Sequence, residues 1–467
     1  MTGNPRQHKC STAVILAGGR GERLGERCRD LPKPLVPVAG IPVLDRQLDL
    51  LTQAGVEEIF ILTGYLGKRI ERHVRGRKDK ALIRCLAEST PLGTAGALTR
   101  LAGQLDSDFF IIFGDVVFDM DLQSLAADHA SHAATLTLVV HPTDHPADSD
   151  LVATDDEGRL LVVIGREGRS GWHANLGNTG IAMASPRVFS SLCHNERADF
   201  SRDLLPRLLA ANEPVRCHRS TEYIKDMGTP QRLRRVEEDI ISGRMERLSR
   251  RHLRRAVFFD RDGTLVVDPS PRYDPESLTL LPGAAAAVAA INRAGLLAVL
   301  VTNQPAVAKN QCDFATVRAM HHRLEFLLGE RGACLDAIHF CPHHPESGHT
   351  GENPAYKIAC SCRKPAPGMV FAAACELGID LKGSWMVGDT TVDVATGKNA
   401  GLHTALVRSG RAGNDRSHHE ATPDMTCDDA LQAVDKIMSI SSDAELPEMC
   451  HAGCDARTKN FINGSGL

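Results

Sequence analysis

Two aspartates in the second half of the chain stand at a spacing that suits carboxylate chemistry. Asp260 and Asp262 flank one residue at the end of the apolar run in "AVFFDRDGTL". In extended backbone, residues i and i+2 point to the same side, so both carboxylates can reach one site. A turn capped by an aspartate is the alternative for this pair taken alone. Further polar residues stand downstream in "VLVTNQ", "CRKP" and "WMVGDTTVD", namely Thr302, Asn303, Lys364, Asp389 and Asp393. Their order favours an active site over a turn.

Four potential metal ligands stand in two pairs within "CPHHPESGHTGENPAYKIACSCRKP", residues 341–365. Cys341 and His343 are one residue apart, and so are Cys360 and Cys362. Cysteine thiolates and a histidine nitrogen are zinc ligands, and four of them close a tetrahedral site. A disulfide is disfavoured because CxC geometry is poor and the chain is expected in a reducing compartment. Scattered thiols without metal are the other alternative. The spacing predicts a structural zinc site.

A glycine-rich segment in the first half suits a nucleotide. Gly18, Gly19 and Gly21 follow the apolar run of "STAVILAGG", and the positive charges of Arg23 and Lys33 come next. Glycines let backbone N–H groups approach phosphate oxygens, and a helix start adds its positive dipole end. The spacing is neither GxGxxG nor GxxxxGK[ST], which disfavours Rossmann-fingerprint and P-loop sites. A structural turn remains open for the glycines alone.

Alternating strands and helices must position these residues. Strand-like runs are "VEEIFILTG", "FFIIFGD" and "ATLTLVVH" in the first half, and "LLAVLVTNQ", "AIHFC" and "GSWMVGD" in the second. Each half begins with an apolar run that stops at glycines or acidic residues, as the first buried strand of a parallel sheet does. The alternation predicts an α/β fold with two Rossmann-like domains.

The length and charge of the chain set its organisation. With 467 residues it exceeds one hydrophobic core,. We expect one domain at 10–240, a solvated helical linker at 241–254, a second domain at 255–412 and a tail of uncertain structure at 413–467. A net charge of −4 provides no basic field for nucleic acid or membranes,. The amino terminus is polar, and apolar runs fall short of a membrane span, so we expect a cytoplasmic enzyme.

Five ordered motifs over residues 11–240 resemble the sugar-1-phosphate nucleotidyltransferases, particularly the mannose-1-phosphate and heptose-1-phosphate guanylyltransferase branch. They are "LAGGRGERLGERCRDLPKPLVPVAG", "PLGTAGAL", "FGDVVFDMDL", "NTGIAM" and "YIKDMGTP". The resemblance implies a mixed sheet and attack of a sugar-1-phosphate oxygen on the α-phosphorus of a nucleoside triphosphate. Catalysis is then mostly positioning and electrostatic stabilisation. The "LGTAGAL" segment favours guanine over thymine.

This resemblance also implies residue roles. Arg23 and Lys33 would hold the triphosphate and the sugar phosphate, and Asp115 and Asp226 would coordinate Mg²⁺. The remaining binding residues implied are Gly18, Gly19, Gly21, Gly93, Thr94, Gly96, Asn178, Gly180 and Lys225. Among these, residues 93, 94 and 96 would border the base, and residues 178 and 180 the sugar. One departure is that a glycine follows Glu167 where relatives commonly carry lysine.

Residues 256–410 resemble the haloacid dehalogenase superfamily of phosphatases. The resemblance implies that Asp260 attacks phosphorus and forms an aspartyl-phosphate. Asp262 would protonate the leaving oxygen and then deprotonate water. Mg²⁺ would lie between Asp260, the backbone carbonyl of Asp262, and Asp389, with Asp393 outside the direct ligands. The residues implied to bind phosphoryl oxygens are Thr302, Asn303 and Lys364.

The Cys/His segment narrows the resemblance to zinc-loop members, which are heptose-1,7-bisphosphate and histidinol-phosphate phosphatases. Arg363 would then meet the far end of the substrate. One departure is that Pro305 and Ala306 follow "TNQ", where relatives usually have "TNQSG". The contacts of the loop beyond Asn303 are therefore expected to differ.

Together the resemblances imply a bifunctional enzyme with heptose 1,7-bisphosphate and GTP as substrates. It would remove the 7-phosphate and transfer GMP to heptose 1-phosphate, using Mg²⁺ at both sites and structural Zn²⁺. The alternatives are another sugar or nucleotide, such as a mannose-type substrate or ATP, and a histidinol-phosphate-like phosphatase fused to a transferase. One half could also be a non-catalytic regulatory module.

Overall fold

The computed structural model describes residues 10–441, except residues 168, 271, 347, 349 and 419 and the side chains of residues 27 and 441. The chain divides into two compact units. The first runs to His141 and resumes over Asp148–Arg169 and Leu176–Ser249. The second comprises Pro142–Ala147, Ser170–Asn175 and the described residues from 250 to 441.

The first unit is built from short strands and helices. Its strands are β1 (Thr12–Ala17), β2 (Pro37–Val38), β3 (Ile41–Pro42), β4 (Glu58–Thr63), β5 (Leu82–Ala87), β6 (Phe109–Phe113), β7 (Val116–Asp119), β8 (Leu136–Pro142), β9 (Leu151–Thr154), β10 (Leu160–Ile164), β11 (Leu176–Ala184), β12 (Val215–Arg219) and β13 (Tyr223–Asp226). Its α-helices are α1 (Val43–Gln53), α2 (Gly67–Arg75), α3 (Gly93–Gly96), α4 (Leu122–Ser131), α5 (Leu205–Ala210), α6 (Pro230–Ile241) and α7 (Arg244–Arg247).

A mixed sheet forms the centre of the first unit. Its main path runs β10-β9-β11-β6-β1-β4-β5, and β8 pairs with β11 and β12. Strand β1 pairs in parallel with β4 and β6, whereas β11 is antiparallel to β6. Ala13, Val14 and Ile15 of β1 are fully buried, as expected of a central strand,. The mixed sheet confirms the fold class expected for this half.

The second unit alternates strands and helices along the chain. Its strands are β14 (Ala256–Phe259), β15 (Leu297–Asn303), β16 (Ala337–Cys341), β17 (Trp385–Gly388), β18 (His403–Val407) and β19 (Met425–Cys427). Its α-helices are α8 (Ala284–Ala294), α9 (Phe314–Gly329), α10 (Gly368–Leu377), α11 (Thr391–Ala400) and α12 (Ala430–Ser441).

The sheet of the second unit is parallel throughout, in the order β16-β15-β14-β17-β18-β19. Strand β14 lies inside it, between β15 and β17. Because the strands are parallel, the residues that follow β14, β15, β16 and β17 meet at one edge. This edge carries the candidate residues of the second half, and the parallel sheet confirms the expected fold class.

Residues 425–441, which fall in the segment expected to be a tail of uncertain structure, belong to the sheet and core of the second unit. Strand β19 pairs in parallel with β18 and extends the sheet. Helix α12 buries Ala430, Ala433, Val434 and Ile437 in the core of the second unit. Their spacing of i, i+3, i+4 and i+7 is that of one helix face. The polar loop before β19 hides this pattern in the sequence, and residues 442–467 lie outside the described part.

The segment expected to be a linker, residues 241–254, begins at the last residue of α6 and includes α7. The division between the two units falls within it, after Ser249. Within the described residues, no helix combines the length and apolarity needed to cross a membrane.

Candidate active sites

Asp260 directly follows β14 at the carboxyl edge of the parallel sheet, where it is buried. The ammonium group of Lys364 donates to Oδ1 of Asp260 at 2.7 Å and to Oδ1 of Asp393 at 2.5 Å. All three side chains are at most 11% exposed. One buried cation therefore bridges two buried carboxylates, and it compensates only part of their negative charge.

Asn303, the last residue of β15, fixes the backbone of Lys364. The Nδ2 group of Asn303 donates to the carbonyl oxygen of Lys364 at 3.1 Å, and the backbone N–H of Lys364 donates back to Oδ1 of Asn303 at 3.0 Å. The neighbouring Thr302 is 1% exposed. The structure thus brings Thr302, Asn303 and Lys364 together with Asp260, and their contacts with a phosphoryl group stay a prediction.

Asp389 directly follows β17 and carries a carboxylate oxygen without a partner. Its Oδ2 accepts a hydrogen bond from the backbone N–H of Arg411 at 2.6 Å, whereas its buried Oδ1 has no hydrogen-bond partner among the described residues. Gly263, at φ 80°, and Gly410 lie so close that a Cβ on either would collide with this carboxylate. The loops around Asp389 therefore leave one oxygen available for a ligand.

A magnesium ion fits these carboxylates. One oxygen from each of Asp260, Asp389 and Asp393 lies within 4.8 Å of the others. Ligand oxygens opposite each other in an octahedral Mg²⁺ site are about 4.2 Å apart, since each Mg–O distance is about 2.1 Å. Both oxygens of Asp393 already accept bonds, from Lys364 and from Thr390. Asp260 and the unpartnered Oδ1 of Asp389 are thus the carboxylates best placed to hold the ion.

The electrostatics of these carboxylates also favour a cation. Burial raises the pKa of Asp260 to about 7, with Lys364 opposing the shift and the carboxylates of Asp393 and Asp262 adding to it. Burial likewise raises the pKa of Asp389 to about 6. A divalent cation between them would favour the ionised forms and lower both pKa values.

Asp262 is held by a separate set of side chains. Nε of Arg261 donates to its Oδ1 at 2.7 Å, and Nη2 of Arg261 donates to its Oδ2 at 3.0 Å. Nε2 of Gln304 also donates to Oδ2, at 3.0 Å. The Asp262 side chain is outside the cluster of Asp260, Asp389 and Asp393. Its backbone carbonyl, which was the expected ligand, is therefore the part of Asp262 that could contribute to the metal site.

The four predicted zinc ligands converge on one point. Sγ of Cys362 lies 3.3 Å from Sγ of Cys341 and 3.3 Å from Sγ of Cys360, and 3.4 Å from Nδ1 of His343. The edges of a tetrahedral thiolate site are about 3.8 Å long, because the Zn–S distance is about 2.3 Å. The Sγ–Sγ separations far exceed the disulfide length of about 2.05 Å. The cluster fits zinc.

Arg363 connects the zinc-ligand cluster to the phosphatase residues. It lies between the ligand Cys362 and Lys364 in the chain, and its Nη1 donates to the carbonyl oxygen of His343 at 3.0 Å. The orientation of the Lys364 segment thus depends on the loop that the four ligands hold. A contact of Arg363 with the far end of a substrate stays a prediction.

The glycine-rich segment of the first half follows β1 as predicted. Gly19 is exposed, and Gly21 adopts φ 67° at the start of a short 3₁₀ helix, Glu22–Cys28. A Cβ on Gly18 would lie 3.2 Å from Oε2 of Glu88, which follows β5. Glu88 is half-buried, and burial raises its pKa. The loop therefore combines exposed backbone with a neighbouring carboxylate.

Two acidic residues expected to hold Mg²⁺ are brought together by β7 and β13. Asp226 ends β13 opposite Val116, next to Asp115, and the N–H of Met227 donates to the carbonyl oxygen of Asp115 at 3.0 Å. Lys33 donates to Oδ2 of Asp115.

Asp226 is paired with an arginine from the first turn of α6. Nη1 of Arg232 donates to Oδ1 and Oδ2 of Asp226 at 2.7 and 2.6 Å. Burial alone would raise the pKa of Asp226, but Arg232 brings it below its ordinary value. Arg23 lies beside Gly228 in the same region, since a Cβ on Gly228 would be 3.2 Å from its Nη2.

The glycines of α3 allow close packing within the first unit. A Cβ on Gly93, at φ 77°, or on Gly96 would collide with backbone oxygens of residues 196–198. The hydroxyl of Thr94 donates to Asp199 at 3.1 Å and accepts from the N–H of Phe200 at 2.8 Å. These contacts give the three residues a packing role, and their contact with a base stays a prediction.

The residues expected to border the sugar, Asn178 and Gly180, lie on β11. Asn178 donates to the Ser201 hydroxyl at 3.1 Å and accepts from the N–H of Gly180 at 3.2 Å. Gly180 adopts φ 78° and packs against Phe113. Lys225 lies on β13 opposite Val117.

Four polar residues of these sites were missed in the sequence: Glu88, Arg232, Arg261 and Gln304. Glu88 precedes "PLGTAGAL", and Arg232 follows "DMGTP" in the first turn of the next helix. Arg261 and Gln304 sit inside the quoted motifs "DRDG" and "TNQ". The proximity of each residue to a motif is a signal, but some contacts of these residues involve distant parts of the chain, as between Arg261 and Gln304.

Comparison with known proteins matches both halves. The nucleotidyl transferase family matches residues 12–243, and the HAD-hydrolase-like family matches residues 361–433. The D-glycero-D-manno-heptose-1,7-bisphosphate 7-phosphatase of Thermosynechococcus vestitus is 39% identical over 190 residues, which cover 39% of this chain and 95% of that protein. The chain belongs to this phosphatase family. It is a bifunctional enzyme, a phosphatase joined to a nucleotidyltransferase.

Two further relatives extend the comparison. The mannose-1-phosphate guanylyltransferase of Mycobacterium tuberculosis is 30% identical over 234 residues, which cover 50% of this chain and 65% of that protein. A crystal structure of D,D-heptose 1,7-bisphosphate phosphatase from B. bronchiseptica, complexed with magnesium and phosphate, is 30% identical over 40% of this chain and 99% of that chain, with a TM-score of 0.35.

Proposed function

We propose that this enzyme removes the 7-phosphate of D-glycero-D-manno-heptose 1,7-bisphosphate and then transfers GMP from GTP to heptose 1-phosphate. The phosphatase activity is supported mainly by the ammonium of Lys364, which Asp260 and Asp393 share. Beside it lies the unpartnered oxygen of Asp389. A buried nucleophile, a fixed cation and a free ligand oxygen are what phosphoryl transfer to a carboxylate needs.

The phosphatase reaction would proceed in two steps. A carboxylate oxygen of Asp260 attacks phosphorus while Asp262 protonates the departing sugar oxygen, and the phosphoryl oxygens contact Lys364. Water then attacks the aspartyl-phosphate, and Asp262 accepts its proton. Asp260, Asp389 and the backbone carbonyl of Asp262 would hold a magnesium ion, whose positive charge would stabilise the phosphoryl oxygens.

The choice of a heptose bisphosphate substrate is supported by the relatives and by Arg363. The relative from Thermosynechococcus vestitus, 39% identical, is a heptose bisphosphate phosphatase by name. Arg363 extends from the segment that the four ligands fix, and its guanidinium offers donors suited to the 1-phosphate of a bisphosphate,. We assign zinc a structural role because all four tetrahedral positions are taken by protein ligands.

The nucleotidyltransferase reaction would use the first unit. Lys33 and Arg23 bind phosphate oxygens, and the sugar 1-phosphate attacks the α-phosphorus of GTP while pyrophosphate leaves. Asp115 and Asp226, which β7 and β13 place side by side, would hold the magnesium ion that neutralises charge on the triphosphate,. Because Arg232 donates to both oxygens of Asp226, the ion would have to replace at least one of these bonds.

Guanine recognition is supported by Glu88. Guanine presents two neighbouring donors, N1–H and N2–H₂, which a carboxylate can accept together, whereas adenine presents no such pair. Glu88 lies next to Gly18, beside the loop proposed for the phosphates. The reduced thiols that zinc requires fit a reducing compartment, so the proposal also assigns the enzyme to the cytoplasm.

Phosphorus NMR tests both activities in one sample. Purified enzyme is mixed with either anomer of heptose 1,7-bisphosphate, with Mg²⁺, and with GTP or ATP. We expect inorganic phosphate first and then the two diphosphate signals of GDP-heptose, with GTP far better than ATP. No phosphate release from either anomer would contradict the heptose assignment, and equal use of ATP would contradict the assignment of guanine.

A further inference from the structure

We propose that Arg261 and Gln304 are positioning residues, which hold the Asp262 carboxylate for proton transfer in the phosphatase reaction. The inference rests on the role proposed above for Asp262 as the acid and base.

Three hydrogen bonds fix the plane of this carboxylate. Arg261 donates hydrogen bonds to both oxygens, from Nε to Oδ1 at 2.7 Å and from Nη2 to Oδ2 at 3.0 Å. Gln304 adds a second bond to Oδ2, at 3.0 Å. Each carboxylate oxygen has two lone pairs. Oδ1 therefore keeps one lone pair for a proton, whereas Oδ2 is fully engaged.

The burial of Arg261 points to the same role. Its side chain is fully buried, and Nη1 has no hydrogen-bond partner among the described residues. Burying a guanidinium with an unused donor is costly, and hydrophobic residues of similar volume are often at least as stabilising. Its side-chain bonds go to Asp262 and to Oε1 of Gln304, at 2.9 Å for the latter. The buried guanidinium of Arg261 is thus better explained by its orientation of Asp262 than by a contribution to stability.

Gln304 connects Asp262 to the rest of the phosphatase site. Its Nε2 group also donates to the hydroxyl of Thr302 at 3.0 Å, next to the proposed phosphoryl-binding residues. Its backbone N–H donates to the carbonyl oxygen of Cys341, a zinc ligand, at 2.7 Å. The proton-transfer group, the phosphoryl site and the zinc-ligand cluster therefore share one rigid support.

The chemistry shows which step this support serves. As Asp260 forms its bond to phosphorus, the bond from phosphorus to the sugar oxygen breaks, and that oxygen takes the electron pair and the proton from Oδ1 of Asp262. In the second step water forms the new bond to phosphorus, the bond to Asp260 breaks, and the water proton returns to Oδ1. Proton transfer of this kind contributes about 10²- to 10⁴-fold and depends on a well-aligned donor.

A matched pair of substrates separates positioning from a general structural role. 4-Nitrophenyl phosphate releases a stable anion that leaves without a proton, whereas phenyl phosphate has a more basic leaving group and depends on the acid. The value of kcat/KM reports the first irreversible step, which is phosphoryl transfer to Asp260. The full-length variants Asp262→Asn, Arg261→Lys, Gln304→Leu and Arg254→Lys are compared on both substrates, with folding checked by circular dichroism.

We expect Arg261→Lys and Gln304→Leu to lower kcat/KM for phenyl phosphate at least about 10-fold more than for 4-nitrophenyl phosphate, in the same direction as Asp262→Asn. Arg254→Lys is the control, because Arg254 is an equally buried arginine whose guanidinium bonds the carbonyl oxygen of Leu377. It should affect both substrates equally.

The outcomes test the role of Asp262 separately from the role of Arg261 and Gln304. If Asp262→Asn lowers both substrates equally, the role proposed for Asp262 is wrong. If Asp262→Asn discriminates but both positioning variants lower the two substrates equally, Arg261 and Gln304 are merely structural and the inference fails. Should Arg261→Lys not fold, Gln304→Leu decides, because it removes one of the three bonds to Asp262 and leaves the charge in place.

Discussion

Replacement of Lys364 by methionine removes the buried cation that Asp260 and Asp393 share. The two carboxylates, 8% and 1% exposed, would then face each other without compensation. Removing one partner of a buried pair costs about 3–5 kcal/mol. We therefore expect the free energy of unfolding of the second unit to fall by about this amount at pH 8 in a buffer without added divalent cations.

The loss should depend on pH in a defined direction. The pKa of Asp260 is about 7 in the folded protein, against about 3.9 for an unfolded aspartate,. Lys364 opposes this shift, so its removal raises the folded pKa of Asp260 further. The additional loss of stability therefore develops as pH rises above about 7, where Asp260 is ionised in the parent protein. At pH 5 Asp260 is protonated in both proteins, and the variant should lose less stability there than at pH 8.

Urea titration followed by tryptophan fluorescence measures this effect. Both tryptophans of the chain, Trp172 and Trp385, belong to the second unit, so the signal reports its unfolding. Lys398→Met is the control, because Lys398 pairs with Asp424 at 2.5 Å but is 40% exposed. Its loss should be below about 1 kcal/mol. A loss for Lys364→Met that is equally small, or the same at both pH values, would refute the reasoning.

The other predictions concern the remaining parts of the two sites. Cys360→Ser should lower bound zinc, measured by plasma emission spectrometry, and phosphatase activity, while guanylyl transfer continues; full phosphatase activity without zinc would contradict the proposed support of Lys364. Asp115→Asn should lower guanylyl transfer at least about 100-fold and leave phosphate release unchanged, measured by phosphorus NMR. Glu88→Gln should lower kcat/KM for GTP more than for ATP, and an unchanged ratio would exclude Glu88 from base recognition. Gly263→Ala should abolish phosphate release, because a Cβ would collide with the Asp389 carboxylate.

Local pattern was sufficient to predict the central strands and the residues at their ends. The apolar runs before Gly18 and Asp260 are the buried strands β1 and β14, and strand ends carry their side chains to a common edge,. The cluster of four potential zinc ligands could also be predicted from the sequence, because the residue types and their spacing lie in one short segment. The convergence of His343 with the cysteines follows from that segment alone.

Contacts between residues far apart in the chain could not be predicted from the sequence in this way. Nothing in the sequence distinguishes Arg232 from a surface arginine, and only the pairing of β7 with β13 brings its partner Asp226 next to Asp115. Arg261 looks like a spacer between two aspartates, yet it is fully buried against Gln304 from β15's loop. Helix α12 was missed because the strand before it, β19, has only three residues and follows a polar loop.

The central claim is that two independent sites act in sequence on one sugar, and Asp260→Asn tests it most directly. With heptose 1,7-bisphosphate, Mg²⁺ and GTP, phosphorus NMR of this variant should show neither phosphate release nor GDP-heptose. With heptose 1-phosphate supplied instead, GDP-heptose should form at the rate of the unmodified enzyme. GDP-heptose formed from the bisphosphate, or a loss of guanylyl transfer from heptose 1-phosphate in the folded variant, would contradict the claim.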